Sequence, residues 1–194
     1  MATLLSDDEV VALAAQSGSV WAVPLPTVDV NRPEELGAAL LRGLRSLRMR
    51  DLLLDSGEDA VTRPDVAAFS AASATPAVLI IHQLMPTTEG TRAGGCLLAL
   101  RTPKGQVLLD LVSPTGVHEH TILAPVEALA VVGDYLKGVF DGEVGNAAVL
   151  RLADGVVVEV AKGAVSFSDG PAVAQWAVAE GRLAPLLAER LRSE

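Results

Sequence analysis

Two histidines two residues apart, His118 and His120 in Gly116-Val117-His118-Glu119-His120, are the side chains whose spacing most readily does chemistry. Residues two apart on a strand share a face, so both imidazoles could ligate one metal ion. His82, on another expected strand, could supply a third ligand. On that reading the chain is a small metal-binding domain or enzyme using His118/His120. The simpler reading is a solvent-facing pair on a half-exposed strand. It leaves the metal, catalytic and cofactor-binding residues all unassigned and expects no cofactor.

The other candidates have plain structural readings. Cys96 follows Gly94-Gly95, which could expose a nucleophile. It also heads the apolar run Cys96–Leu100, where a thiol behaves as a small hydrophobe, and the glycines read as a bend. Asp51, Asp55, Glu58 and Asp59 gather around a loop without calcium-loop spacing, so solvated acids are expected. Arg42, Arg45, Arg48 and Arg50 could form the basic face of a winged-helix-like DNA-binding regulator. The neighbouring acids offset them, which favours a solvated helix face. No phosphate-binding glycine loop, nucleophile elbow or zinc-protease helix occurs. Trp21 and Trp176 read as core or interface anchors.

Composition narrows the partners. The formal charge of −9 opposes attraction to duplex nucleic acid or a membrane surface, and aromatics at 3% leave little for base stacking. No nucleic-acid or membrane partner is therefore expected. A single cysteine precludes an internal disulfide and suits a reducing compartment. Met1–Val11 shows no secretory pattern, and no apolar run reaches membrane-helix length, so a cytoplasmic location is expected.

The elements that would carry these residues form one α+β domain over 1–194, with helices packed on a mainly antiparallel sheet of meander and hairpins. Ser6-Asp7-Asp8-Glu9 is a capping box opening a short helix that stops at Gly18. Val20–Val30 reads as extended, its prolines placing any strand at an edge. Asn31–Asp55 is the clearest helical tract, with Leu36, Leu40, Leu44 and Leu47 as its buried stripe and Leu41 beside it. Leu52–Leu54 reads as a short strand or helix end, and Thr62–Ala74 as a helix capped by Thr62. Ala77–Leu84 is an expected strand, and Pro86–Thr91 a loop. Gly95–Thr102 pairs with Gln106–Ser113 across a Pro-Lys-Gly turn, and Val117–Leu123 follows as a strand. Pro125–Val139 is helical. Ala147–Leu152 and Val156–Ala161 form a hairpin on Ala153-Asp154-Gly155. Pro171–Glu180 and Leu183–Leu191 read as two closing helices.

One stretch carries a family likeness. In Arg42–Gly57 a helix of leucines and small residues, containing Arg42-Gly43-Leu44, ends in a short apolar run and a Gly turn. Val61-Thr62-Arg63-Pro64-Asp65 then opens a helix reaching Ala74-Thr75-Pro76, followed by a strand, a hairpin, a strand and the Pro125 helix. This order resembles the EspG family, the cytosolic chaperones of type VII (ESX) secretion. The likeness runs from Leu5 to Phe140. It implies a non-catalytic adaptor or chaperone, not an enzyme, whose partner is another protein such as a secretion substrate. A homodimer is a further expectation, formed through an edge near Pro24–Val30 or the apolar helix Leu183–Leu191.

Overall fold

The computed structural model describes residues 3–18, 25–56, 59–73, 77–87, 90–102, 104–144, 147–152 and 155–192. In chain order the elements are β1 (Thr3–Ser6), α1 (Asp7–Ser17), α2 (Pro33–Met49), β2 (Leu53–Ser56), β3 (Asp59–Thr62), α3 (Pro64–Ser73), β4 (Leu79–Thr87) and β5 (Gly90–Arg101). They continue as β6 (Val107–Val112), β7 (Val117–Leu123), α4 (Pro125–Asp141), β8 (Ala147–Leu152), β9 (Val157–Ala161), β10 (Ala164–Phe167) and α5 (Trp176–Leu191). The fold class is α+β with antiparallel strand pairing, as the sequence implies. Among the described residues no helix is long and apolar enough to cross a membrane. The chain divides into two compact units, Met1–Pro76 with Val112–Thr121, and Ala77–Leu111 with Ile122–Glu194.

In the first unit β1 pairs antiparallel with β7, Leu5 opposite His118 and Thr3 opposite His120. Ser6 then caps α1 by the expected box. Its hydroxyl accepts from the Glu9 N–H, and Glu9 accepts from the Ser6 N–H. Gly18 ends the helix at φ 64, a left-handed conformation that costs glycine least. Helix α2 lies on α1, and the buried line is Ala39, Gly43 and Leu47, with Leu36, Leu40 and Leu44 only half-buried and Leu41 exposed. This turns the expected leucine stripe away from the centre of the contact. The reason is Gly43, where a Cβ would stand 1.9 Å from the Asp8 carbonyl oxygen, so the helices meet where a side chain is missing. Strands β2 and β3 pair as a separate two-stranded sheet. Thr62 therefore belongs to β3, and α3 begins at Pro64 without it as a cap. Helix α3 packs on α1 and buries Val66, Phe69 and Ala72.

In the second unit the strands run β6-β5-β4-β8-β9-β10. Strand β4 extends to Thr87 and β5 begins at Gly90, so the loop expected over Pro86–Thr91 is mostly ladder. Pro86, opposite Thr91 of β5, lies beyond Leu84, where the pairing of β4 with β8 ends, so it stands where the sheet has only one neighbour. The bend expected at Gly94-Gly95 is a bulge inside β5: Gln83 faces Gly95 and Leu84 faces Ala93, with Gly94 between. Strand β10 joins β9 without having been expected from its four residues. The two closing helices are one. Residues 171–175 are not helical, Val173 bridging to Val165, and α5 runs from Trp176 through Gly181 and Pro185 to Leu191. Pro185 breaks a helical hydrogen bond at a cost of about 3 kcal/mol. Burial of Leu183, Leu187 and Leu191, each contributing about 2 kcal/mol, outweighs it. Those leucines face the core with Ala128, Val132 and Leu136 of α4, so the C-terminal helix does not offer them to a second copy. Of the other expected dimer edge, residues 19–24 lie outside the described residues, and 25–30 form no strand.

Candidate functional site

The histidine pair is inside the first unit. Strand β7 alternates exposed and buried from Val117, and pairing with β1 puts the even positions inward, so His118 is 0% and His120 3% exposed. The solvent-facing pair expected from the sequence is thus corrected: neither imidazole faces water.

His118 meets the start of α1. Its Nε2 lies 2.9 Å from Asp7 Oδ1, and Asp7 is itself 1% exposed. The other carboxylate oxygen, Oδ2, accepts from the Thr27 N–H and hydroxyl, both at 2.6 Å. The Asp7 N–H donates to the Gly116 carbonyl at 2.9 Å. Gly116 sits at φ 74, and a Cβ there would stand 2.6 Å from Asp7 Oδ2, so the turn before β7 must be glycine. Burial would raise the Asp7 pKa. Hydrogen bonds from His118 and Thr27, with the His118 charge, outweigh it and hold the carboxyl below its ordinary value of 3.8. Asp7 is therefore ionised at neutral pH, and the His118 Nε2 carries the proton it shares.

The next two residues anchor α2. Asp8 takes a two-point ion pair from Arg42, at 2.7 Å from Nε and 2.8 Å from Nη2. Glu9, 1% exposed, accepts from Ser46 at 2.7 Å and from Arg50 Nη1 at 2.7 and 2.9 Å. Arg50 also donates to the Leu4 carbonyl at 2.8 Å. One stretch, Ser6-Asp7-Asp8-Glu9, thus caps its own helix and fastens β7, residue 27 and α2. The capping box was legible, but its three acids also being the clasp was not, because their partners lie 20 to 111 residues away. Two of the arginines that suggested a DNA-reading face, Arg42 and Arg50, are held in these pairs, and all four, with Arg45 and Arg48, lie exposed.

His120 instead packs on Phe69, ring centroids 4.5 Å apart at 34°. His82 belongs to the second unit, half-buried on β4, its pKa lowered by burial and then by the Arg151 charge. Among the described residues no three His, Cys, Asp or Glu side chains converge as a metal site. Cys96 is buried in β5. Asp51 is exposed and takes φ 54 at the turn after α2, while Glu58 lies outside the described residues. Trp21 is likewise outside them. Trp176 is half-buried, its ring 5.4 Å from Phe140.

The second unit carries a groove of about 340 Å³ between α4 and α5. Leu129, Ala130, Gly133 and Trp176 line it, with Leu183 and Leu187 beneath and Asp134, Lys137 and Glu180 at the rim. A Cβ at Gly133 would meet nothing within 4 Å, so this glycine keeps the groove wide. Lys137 pairs with Asp141 one turn on. That hydrogen bond raises the Lys137 pKa, and the charges of Asp141, Glu143 and Glu180 add to it. The rim is thus predominantly acidic.

No protein-family model matches the chain, and no curated protein matches it.

Proposed function

We propose that the chain is a non-catalytic adaptor or chaperone that binds another protein, and that the groove between α4 and α5 receives the partner. The groove carries this reading. It is apolar at its base, held open by Gly133, and edged by Asp134 and Glu180 with one lysine, Lys137, which pairs with Asp141. Its occupant by charge is an apolar anchor flanked by basic residues, presented by a segment of another protein. The groups able to do chemistry support the same reading from the other side. Asp7, Glu9 and His118 are buried, Asp7 bonded to His118 and Thr27 and Glu9 to Ser46 and Arg50, which suits them to fastening the fold rather than to meeting a substrate. The succession α2, β2, β3, α3, β4, β5–β6 hairpin, β7 and α4 contains the order on which the EspG likeness rests, with the β2–β3 pair set between its first two helices, and it adds to the adaptor reading.

Gly133→Trp fills the groove without touching the core. Tagged wild-type protein expressed in its native cytosol should retain a partner that 0.5 M salt weakens and that Gly133→Trp loses, at an unchanged melting temperature. A partner retained equally by Gly133→Trp would remove the groove from the account.

A further inference from the structure

Helix α2 presents a second, separate face. Leu41 is its midpoint, eight residues from Pro33 and eight from Met49, and is 68% exposed. At 100° per residue, Glu34, Gly37, Ala38, Leu44, Arg45 and Arg48 fall on the same side as Leu41. That side is opposite the Ala39-Gly43-Leu47 line buried on α1. Leu41, Leu44, Arg45, Arg48 and Met49 frame a shallow depression there. A Cβ at Gly37 would meet nothing within 4 Å, so small residues at 37 and 38 let another backbone approach.

We propose that this face is a homodimer contact, in which two copies of α2 pack antiparallel about a two-fold axis at Leu41. The charges select a second copy as the occupant. Each helix is acidic at its start and basic at its end, Glu34 and Glu35 against Arg45 and Arg48. Antiparallel pairing about Leu41 sets Arg48 of one copy, seven residues past the axis, opposite Glu34 of the other, seven before it. It does so twice by symmetry. Leu44 falls opposite Ala38, and Arg45 opposite Gly37, so each large side chain meets a small one. Parallel pairing would instead bring arginines against arginines. Glu34 already meets Arg32 at 3.0 Å, yet its side chain stays 67% exposed and accessible to a second cation. A 17-residue helix is about 25 Å long, and one helix pair buries less than the roughly 1,200 Å² of a standard interface. The dimer is accordingly a weak one, with a Kd on the order of tens of micromolar.

Sedimentation velocity of the full chain from about 1 to 200 µM brackets that affinity. Wild type should shift from monomer towards dimer across the range. Leu41→Glu, Glu34→Lys and Arg48→Glu, each checked by circular dichroism for an unchanged fold, should stay monomeric. Mixing Glu34→Lys with Arg48→Glu should restore the dimer, because each copy then meets its opposite charge at both contacts. A wild type that stays monomeric throughout overturns the proposal. So does a dimer that Leu41→Glu leaves intact, and a dimer indifferent to both charge variants, or a mixture that stays monomeric, overturns the antiparallel register.

Discussion

Replacing two glycines of one helix by alanine should have opposite effects. At Gly37 the site is open, and alanine restricts the unfolded chain and favours the helix, a gain of about 0.5–1 kcal/mol. At Gly43 the same gain applies, but the new methyl would stand 1.9 Å from the Asp8 carbonyl oxygen and 3.0 Å from the Ala12 Cβ. Ordinary contact begins at 3.4 Å, so α1 and α2 must part by roughly 1.5 Å, the difference between 3.4 and 1.9. That movement stretches the Arg42–Asp8 and Ser46–Glu9 hydrogen bonds, now 2.7–2.8 Å, beyond useful length. Overpacking and the weakened bonds together should exceed the helix gain and leave Gly43→Ala less stable by about 2–4 kcal/mol. At about 2–4 °C per kcal/mol for a chain of this size, melting falls by about 4–16 °C, whereas Gly37→Ala rises by about 1–4 °C. Thermal and urea denaturation followed at 222 nm measure both. Two shifts of the same sign would refute the close α1–α2 contact, and with it the reading of the Arg42-Gly43-Leu44 stretch as a helix-packing device.

Two further perturbations test the fastening of the fold. Because Asp7 titrates below its ordinary value, its ionised form stabilises the fold above the usual carboxylate range, and that contribution disappears as pH falls through the folded pKa. Asp7→Asn should therefore cost on the order of 2–4 kcal/mol at pH 7, with the gap from wild type closing below about pH 4. A gap constant from pH 7 to pH 2.5 in urea titrations would contradict an ionised Asp7 held by His118 and Thr27. Pro185→Ala restores a hydrogen-bond donor in the exposed part of α5 and should raise stability by about 1–3 kcal/mol. A loss in chemical denaturation would mean that the proline is needed where it stands.

Local signals were legible wherever a few neighbouring residues decide the outcome. The capping box at Ser6–Glu9, the stop at Gly18, strand β7 and the β8–β9 hairpin all follow from residues within one turn or one loop. What could not be read depends on partners distant in the chain. Strand β1 has four residues and exists through its ladder with β7, more than a hundred positions away. The burial of His118 follows from that same ladder and from Asp7, so the period-two spacing that suggested a metal pair was right about a shared face and silent about which face. Helix α5 carries Gly181 and Pro185, both local arguments for a break, and holds because its leucines are buried. The stripe on α2 was legible in part, since Leu47 is buried and Leu36 and Leu40 pack against Val11, Val28 and Ala39, but a leucine count favours the largest side chains, whereas the closest approach uses the smallest residue. The α4–α5 groove left no motif, since Leu129, Gly133 and Trp176 converge only once both helices are packed.

Site-specific photocrosslinking in native cells tests the central claim, that the chain works by binding another protein in the α4–α5 groove. A benzophenone side chain at the groove position Ala130 should yield one dominant adduct, with an apolar, basic-flanked segment of a single protein identified by mass spectrometry. The adduct should vanish when Gly133→Trp is added and should not form from Ala177, an exposed position outside the groove lining. No adduct at Ala130, or the same adducts from both positions, would contradict the account.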